Sequence, residues 1–238
     1  MTDYSAIALT FTLASLTVVI LIFVGLPFAW ALSRYQGRLK PYIEALISLP
    51  LVLPPTVLGF YLLVAFSPDT ALGTFWIMLT GEQFVFSFAG ILVGSIIYSM
   101  PFVMQPLNAA FEQHASNTFS VATTLGISRI KTFFLILLPQ IKPSIITAIT
   151  LGFAHTLGEF GLILMIGGNI PGETQVVSIA LFNHVETLNY ASAHELAAIL
   201  LVSSFVVLVL LYRFNRLAKP SLSSPAEKLP RHTKGEHE

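Results

Sequence analysis

The basic residues of this chain fall in three short groups, and the stretches between those groups are long and apolar. The 12 Lys and Arg residues lie at positions 34–40, at positions 129–142, and from position 213 onward. Loops that stay on the cytoplasmic side of a membrane accumulate Lys and Arg, whereas acidic residues orient a chain only weakly. The pattern therefore predicts an integral membrane protein whose basic groups are cytoplasmic and whose cation-free loops face outward.

Composition supports the same class. Hydrophobic residues make up 55% of the chain and charged residues 10%, with a mean hydropathy of +0.79, whereas soluble domains carry roughly 25% charged residues. The formal net charge of +0 does not identify partners, because the informative quantity is the distribution of charge along the chain. That distribution marks membrane topology, so nucleic acid is disfavoured as a partner. The chain contains no Cys, which excludes thiol catalysis, disulfides and Cys-ligated metal sites.

Five apolar stretches approach the roughly 20 residues that a helix needs to cross about 30 Å of hydrocarbon. They cover residues 5–32, 43–66, 84–110, 143–164 and 196–212. No basic residue precedes the first stretch, so we expect it to be retained as a membrane helix and not cleaved as a signal peptide. Five spans with the N-terminus outside bring the C-terminus inside, which the basic tail also requires.

The sequence thus predicts an all-α integral membrane protein with two parts. A transmembrane permease domain covers residues 1–215, and a cytoplasmic tail over residues 216–238 is expected to be disordered because it is polar and rich in Pro and Ser. Residues 163–182 are ambiguous, since turn signals interrupt their apolar character. We interpret them as a re-entrant or surface-lying segment, because a sixth span would leave the basic tail outside.

The cytoplasmic segment of residues 112–142 is too long for a simple connector. Apolar residues at helical spacing lead up to Gly126, which can close a helix in the left-handed conformation, and the Ser128 hydroxyl can cap the next helix. Pro139 and Pro143 remove backbone donors and should bend the chain as it re-enters the membrane. The pattern predicts two short helices joined by a turn, either lying on the lipid headgroups or protruding toward a partner.

A motif in this segment favours the second alternative. Ser-Val-Ala at 120–122, Gly126, and Ile-Leu-Leu-Pro at 136–139 resemble the loop of the membrane subunits of bacterial ATP-binding cassette (ABC) importers. The pattern of that family is Glu-Ala-Ala, three residues, Gly, nine residues, then Ile-x-Leu-Pro. Ser120 and Val121 depart from its Glu and first Ala, so the contact made by that Glu is not carried over.

The resemblance implies that the loop inserts into a groove on a separate ATPase subunit and transmits its movement. The residues to which it assigns this coupling are Ser120, Val121, Ala122, Leu125, Gly126, Ile127, Ser128, Arg129 and Pro139.

Two further segments indicate which group of permeases within this family the chain resembles. Leu-Pro-Leu-Val-Leu-Pro-Pro-Thr-Val-Leu-Gly at 49–59 resembles the second-span motif of the molybdate, tungstate and sulfate permeases, and Gly-Glu-Phe-Gly at 158–161 resembles their fourth-span motif. The short chain is most similar to the molybdenum permeases, because the sulfate relatives usually carry an extra N-terminal helix. The resemblance implies a type I ABC importer permease of the bacterial inner membrane that translocates molybdate, with tungstate or sulfate as alternatives.

The second and fourth spans also supply the candidates for the translocation pathway. Pro54 and Pro55 free backbone carbonyls within a span, as in the broken helices of transporter sites, although a simple kink is the alternative. The hydroxyl of Thr56 follows this break and can donate a hydrogen bond to an oxyanion. Glu159 is acidic within an apolar span and therefore needs a partner; His155 lies one turn earlier, which predicts a hydrogen bond between the two.

We assign Glu159 a structural or gate-bracing role, because a carboxylate on the route would repel an anion. Two ligands on one helix do not make a metal site, so none is expected. The same two residues could act as acid and base of an intramembrane enzyme. That alternative is disfavoured because no second polar cluster in another span completes such a site.

The remaining expectations concern partners. No span contains Lys or Arg, so tight capture of a dianion should reside in a separate extracytoplasmic binding protein. The chain lacks a Gly-x-x-x-x-Gly-Lys-Ser/Thr loop; it should bind no cofactor itself, and ATP-Mg should bind to the partner ATPase. Five spans are few to enclose a route, which favours a homodimer in the lipid bilayer. A stand-alone secondary transporter or channel is the alternative, although no inverted repeat is evident.

Overall fold

The computed structural model describes residues 2–218, and this part of the chain is helical with no strand. Within it, a 3₁₀ turn occupies Leu49–Leu51 and a π-helical turn occupies Phe133–Leu137. The α-helices are α1 (Thr2–Arg34), α2 (Lys40–Ser48), α3 (Pro55–Ala65), α4 (Ala71–Thr80), α5 (Phe88–Thr124), α6 (Arg129–Thr132), α7 (Leu138–Gln140), α8 (Lys142–Leu157), α9 (Gly161–Gly167), α10 (Val177–Glu186) and α11 (Tyr190–Ala218).

Three of these helices, α1, α5 and α11, are long and apolar enough to cross a membrane. Two bent pairs raise the number to five: α2 with its 3₁₀ turn meets α3 at 108°, and Arg129–Gln140 meets α8 at 65°. The predicted all-helical class with about five spans agrees with this arrangement. The bend before α8 also confirms the effect predicted for Pro139 and Pro143.

The third span extends further than predicted. Helix α5 continues past residue 110 to Thr124, so the first short helix expected in the cytoplasmic segment is wrong as a separate element. The continuation is stable because Phe111, Ala115 and Ala122 remain buried on one face of α5, so that apolar packing extends beyond the membrane stretch.

The outward loop between the second and third spans contains a helix that the sequence analysis missed. Thr70 caps α4 by accepting the N–H of Gly73 at 3.1 Å, and Gly81 closes the helix in the left-handed conformation at φ +79°. Both are ordinary helix start and stop signals. Both signals are present in the sequence, but Gly73 and the nearby Pro68 are also typical of loops.

The ambiguous segment of residues 163–182 folds back into the helical core. Val177 and Ile179 of α10 are fully buried, and the N–H of Val177 donates to the hydroxyl of Thr10 in α1 at 2.8 Å. The surface-lying alternative is therefore wrong, and the segment returns between α1 and α11.

The centre of the molecule is formed by α1, α5 and α8, while α3 packs on α9 and α10 on α11. Close contacts between these helices depend on small residues: a Cβ on Gly94 would lie 2.7 Å from Leu162, and a Cβ on Gly152 would lie 2.7 Å from Val103. Such residues let membrane helices approach closely. The second span is interrupted after residue 51 and the fourth span after residue 157. The packing of the helices places these two interruptions next to each other.

Candidate functional site

A pocket of about 550 Å³ lies where the two interrupted spans meet. Helix α3 begins at Pro55 on one side of it, and the chain after α8 turns into α9 on the other. The residues that define its chemistry are Pro55, Thr56, Tyr98, His155, Glu159 and Leu164. We call this space the pathway pocket.

The structure brings together four of the five residues named as pathway candidates, namely Pro55, Thr56, His155 and Glu159. Pro54 precedes α3 as its N-cap residue with an extended ψ of 136° and does not line the pocket. The break in the second span is therefore a real change of chain direction, because two consecutive prolines start a new helix there. Whether this pocket is the translocation route stays a prediction.

Glu159 stabilises the turn between α8 and α9. Its side chain is only 6% exposed, and its carboxylate accepts the backbone N–H of Leu162 at 3.2 Å. Its carbonyl oxygen accepts the hydroxyl of Ser178 at 2.5 Å, which ties the turn to α10. These contacts satisfy polar groups that would otherwise be buried without partners at a helix end, and they fit the bracing role assigned to Glu159.

The predicted hydrogen bond between His155 and Glu159 is wrong. Helix α8 ends at Leu157, so residues 155 and 159 are not neighbours on one helical face as the spacing rule requires. His155 instead places Nδ1 2.9 Å from the Ser99 hydroxyl of α5. Its ring stacks on Phe102 with centroids 3.9 Å apart and lies 4.8 Å from the ring of Tyr98.

Sequence reasoning missed Tyr98, Ser99 and Ser178 as parts of this site. A signal existed for the first two, since polar side chains within a span tend to face protein or a cavity. Their partners, however, lie more than fifty residues away along the chain. No spacing rule within one helix can identify such pairs.

Most of the residues to which the resemblance assigns coupling lie at the end of α5 and in the turn that follows it. Gly126 has φ +70°, the N–H of Ile127 donates to the carbonyl of Ala122 at 2.9 Å, and the N–H of Gly126 donates to that of Thr123 at 3.1 Å. These two bonds define a Schellman motif, which confirms the left-handed turn predicted at Gly126.

Ser128 stands at the N-cap position of α6, as predicted, but its hydroxyl makes no capping bond. The carbonyl of Ser128 accepts both the N–H and the hydroxyl of Thr132, at 2.9 and 3.0 Å, so the predicted hydroxyl cap is wrong. The short turn is instead held by backbone groups and by the side chain of Thr132.

Several large apolar side chains near this turn face away from the protein. Leu125 is 70% exposed and Ile130 is 74% exposed, and Val121 is exposed beside them, while Ala122 is buried. Ser120, Gly126, Ser128, Arg129 and Pro139 are exposed as well. We call Val121, Leu125 and Ile130 the docking patch, after the role that the resemblance predicts for Val121 and Leu125; exposed apolar clusters are typical of interaction surfaces.

Residues around the docking patch are connected to one another and to the first span by aromatic and polar contacts. The guanidinium of Arg34 lies 5.3 Å from the ring centroid of Trp30 and 5.7 Å from that of Phe119. Trp30 also packs against Phe133 at 4.9 Å, and the Thr118 hydroxyl donates to Gln140 at 2.8 Å. The cytoplasmic segment is thereby fixed to the membrane helices.

Three or more potential metal ligands do not cluster anywhere in residues 2–218. The pathway pocket offers one imidazole and one carboxylate whose partners are already protein groups. The polar side chains of this pocket can therefore take part in hydrogen bonds, and metal binding is not indicated.

Comparison with known proteins assigns the family. Residues 21–223 match the family described as the binding-protein-dependent transport system inner membrane component. The chain belongs to this family. The predicted class, a multi-pass transport component of the inner membrane, is confirmed.

Individual relatives are consistent with membership of this family. The chain is 51% identical to the molybdenum transport system permease protein ModB of Azotobacter vinelandii over 90% of this chain and 95% of that protein. It is 36% identical to ModB of Haemophilus influenzae over 67% and 69% of the two chains, and 32% identical to the sulfate transport system permease protein CysT of Escherichia coli over 81% and 68%. These relatives are named as transport permeases and not as enzymes, in agreement with the predicted class.

Solved structures share the fold. The methionine ABC transporter MetNI, in inward-facing conformations, matches with a TM-score of 0.69 at 15% identity over 92% of this chain and 96% of that one. A bacterial alginate ABC transporter in complex with its periplasmic protein matches with a TM-score of 0.72 at 18% identity over 91% and 79%. The predicted ABC importer permease fold is confirmed.

Proposed function

We propose that this chain is the membrane-spanning subunit of an ABC importer that carries molybdate across the bacterial inner membrane. The observation that carries the proposal is the 51% identity to a molybdenum permease over nearly the full length of both chains. The sulfate permease of Escherichia coli, at 32% identity over 81% of this chain, makes sulfate the second candidate. Tungstate remains an alternative because its oxyanion has the same shape and charge as molybdate.

In this proposal the energy comes from a separate ATPase subunit that binds ATP-Mg and docks on the cytoplasmic side. The docking patch supports this, because it presents Val121, Leu125 and Ile130 to solvent on a turn fixed by a Schellman motif. Apolar side chains that fill a partner's groove contribute much of the free energy of association. An extracytoplasmic binding protein delivers the oxyanion to the outer face.

A second copy of the chain completes the route. The face of α3 that carries Thr56 and Val57 is exposed, so the pathway pocket lies at the side of the subunit and not at its centre. Two copies related by a two-fold axis would place their pathway pockets against each other and would supply ten spans in total.

The continuity of α5 suggests how movement reaches the pocket. Tyr98 lines the pathway pocket, and Val121 lies on the same helix α5, which contains Pro101 and Pro106 between them. At 1.5 Å per residue, the distance from Tyr98 to Thr124 is about 39 Å. A displacement at the docked end of α5 would reach the pocket wall along this helix, with Pro101 and Pro106 as the points where it can bend.

Uptake into proteoliposomes tests the proposal. The chain is reconstituted with its ATPase and binding protein, ATP is enclosed, and labelled molybdate is presented together with unlabelled sulfate or tungstate. We expect ATP-dependent molybdate uptake that a tenfold excess of sulfate barely reduces. Equal competition by sulfate would transfer the substrate assignment to sulfate, and uptake without the ATPase would favour a secondary transporter.

A further inference from the structure

A groove lined by apolar residues lies between α1, the cytoplasmic half of the second span, and α5. Its volume is about 480 Å³, which falls in the range of about 300–1,000 Å³ that is typical of ligand sites. Along α1 it extends from Ile20 to Phe28, a distance of about 12 Å at 1.5 Å per residue. All of its lining residues are Ile, Leu, Val, Met, Phe, Pro or Gly, so their side chains offer no hydrogen bond. We call this space the apolar groove.

The apolar groove exists because two consecutive helices pack on a third and hardly on each other. Both α1 and α2 contact α5, and residues 35–39 connect α1 to α2. Leu21 and Met104 are buried at the floor of the groove, whereas Val24 and Leu46 at its rim are exposed. An empty space of this kind deprives its lining of dispersion contacts. Within a bilayer, hydrocarbon is the material that can restore them.

The apolar groove and the pathway pocket use opposite faces of the same two helices. On α3, Leu58 lines the groove and Thr56 lines the pocket; on α5, Met100 lines the groove and Tyr98 lines the pocket. Residues two apart on a helix point in directions that differ by about 200°. The proposed function places a second copy of the chain against the pathway pocket. The apolar groove therefore faces away from that copy, toward the lipid.

A positive charge lies at the cytoplasmic end of the apolar groove. The connection between α1 and α2, which form two of its walls, contains Arg38. The neighbouring cations have partners, since Nζ of Lys40 lies 2.7 Å from Glu112 and Arg34 lies over the ring of Trp30. Arg38 is exposed and makes no ion pair within residues 2–218. Its guanidinium is suited to a phosphate, which it can bind through two parallel hydrogen bonds.

We propose that the apolar groove binds one acyl chain of an anionic phospholipid of the inner leaflet, whose phosphate lies at Arg38. The groove begins near Ile43, one turn into α2, and reaches Leu53 at the break of the second span. This is the direction in which the tail of an inner-leaflet lipid runs. The bound chain supports the cytoplasmic half of the second span beside the break. The proposal takes the orientation of the dimer from the proposed function and does not depend on the transported ion.

Quenching of an introduced tryptophan by lipids with brominated acyl chains measures occupancy of the groove. Leu46→Trp places the reporter at the rim, and Leu201→Trp in α11 is the matched control. Both leucines are 70% exposed, but Leu201 does not line the groove. The chain with its ATPase is purified in detergent and titrated with brominated phosphatidylglycerol or brominated phosphatidylcholine. The signal of the parent complex, which includes Trp30 and Trp76, is subtracted.

The expected result is a preference for the anionic lipid at the groove alone. Half-maximal quenching of L46W should need about fivefold less phosphatidylglycerol than phosphatidylcholine, the effect of one cation near an anionic lipid. L201W should respond to both lipids at the same concentration. Adding Arg38→Gln to L46W should abolish the preference, whereas Arg213→Gln, at an exposed cation of α11, should keep it. Glycerol phosphate, which lacks acyl chains, should not compete.

Two outcomes overturn the proposal. Equal concentrations of the two lipids at L46W would leave only ordinary surrounding lipid, and absence of quenching at L46W with quenching at L201W would show that a second copy covers the groove.

Thermal unfolding provides an independent measurement if the tryptophan variants do not assemble. Phosphatidylglycerol should raise the midpoint of the wild type and of R213Q more than phosphatidylcholine does, and this difference should be lost in R38Q. The same difference in all three proteins contradicts the proposal. None of these measurements uses transport, so absence of ATP-dependent molybdate uptake would refute the proposed function and not the lipid site.

Discussion

The docking patch and the pathway pocket differ in how the chain builds them. The docking patch lies on one continuous piece of chain, is fixed by backbone hydrogen bonds around Gly126, and presents apolar side chains to solvent. The pathway pocket is assembled from four separate helices, and Nδ1 of His155 and the carbonyl of Glu159 have partners in other helices. The docking patch is thus specified by local sequence, whereas the pathway pocket depends on the packing of helices that are distant in sequence.

The largest effect is expected where the docking patch meets the ATPase. Leu125→Asp places a charge in an apolar contact that we expect to be desolvated, and an unpaired charge there is strongly unfavourable. We predict loss of copurification with the ATPase and loss of uptake. Leu188→Asp is the matched control, because Leu188 is 71% exposed in the turn between α10 and α11, away from the docking patch. Equal loss in both variants would contradict a role specific to Leu125.

A smaller effect is expected from straining the turn without changing its charge. Gly126→Val forces a β-branched residue into the left-handed conformation at φ +70°, which costs about 1–2 kcal/mol. The free turn can relax to relieve this strain, and docking must then restore it, which lowers the docking affinity by up to about tenfold. Gly81→Val introduces the same strain at φ +79° in the outward loop, and neither glycine has atoms within 4 Å of an added Cβ. ATPase binding should weaken in G126V and stay unchanged in G81V. Equal binding by the two variants would show that the conformation of the turn at Gly126 does not affect docking.

The coupling turn was predictable because its signals are local. Gly126 followed by Ser128 fixed the place of the turn, and the spacing to Pro139 carried the family resemblance. The boundary of α5 was not predictable in the same way, because the continuation to Thr124 depends on the burial of Phe111 and Ala115 against other helices. The short first helix was inferred from apolar residues at helical spacing before Gly126, a pattern that does not show where the preceding helix ends.

The pathway pocket was only partly predictable. Prolines 54 and 55 indicated the break, and Glu159 stood out as a carboxylate in an apolar span. The partner proposed for Glu159 was wrong because the sequence does not reveal that α8 ends at Leu157. Its actual partners are Leu162 in the next turn and Ser178 in α10, and the latter contact exists only because residues 163–182 fold back.

The third prediction concerns the turn at Glu159. Glu159→Ala leaves the N–H of Leu162, a fully buried residue, without its acceptor, and an unsatisfied buried donor costs about 1–3 kcal/mol. Glu159→Gln keeps an amide oxygen that can accept the same hydrogen bond. Thermal unfolding in detergent should give a lower midpoint for E159A than for E159Q. Equal midpoints would show that the hydrogen bond to Leu162 does not stabilise the turn.

The smallest effect is expected at the ion pair between Lys40 of α2 and Glu112 of α5. Its Nζ to Oε1 distance is 2.7 Å, yet both side chains are partly exposed, and exposed pairs contribute at most about 1 kcal/mol. Lys40→Ala should therefore change stability and uptake only slightly. If the double exchange K40E with E112K restores the stability or uptake lost in K40A, that loss is due to the ion pair. A large loss of uptake in K40A would indicate that this contact transmits movement between α5 and the second span.

The central claim is that the docking patch lies on the cytoplasmic face and is covered by the ATPase, and site-specific labelling tests it most directly. The chain contains no Cys, so Leu125→Cys introduces a single thiol. The account predicts that a membrane-impermeant maleimide labels L125C in inverted membrane vesicles but not in intact spheroplasts, and that added ATPase subunit protects it. Labelling of this thiol from the outer face of intact spheroplasts would contradict the topology and the coupling mechanism together.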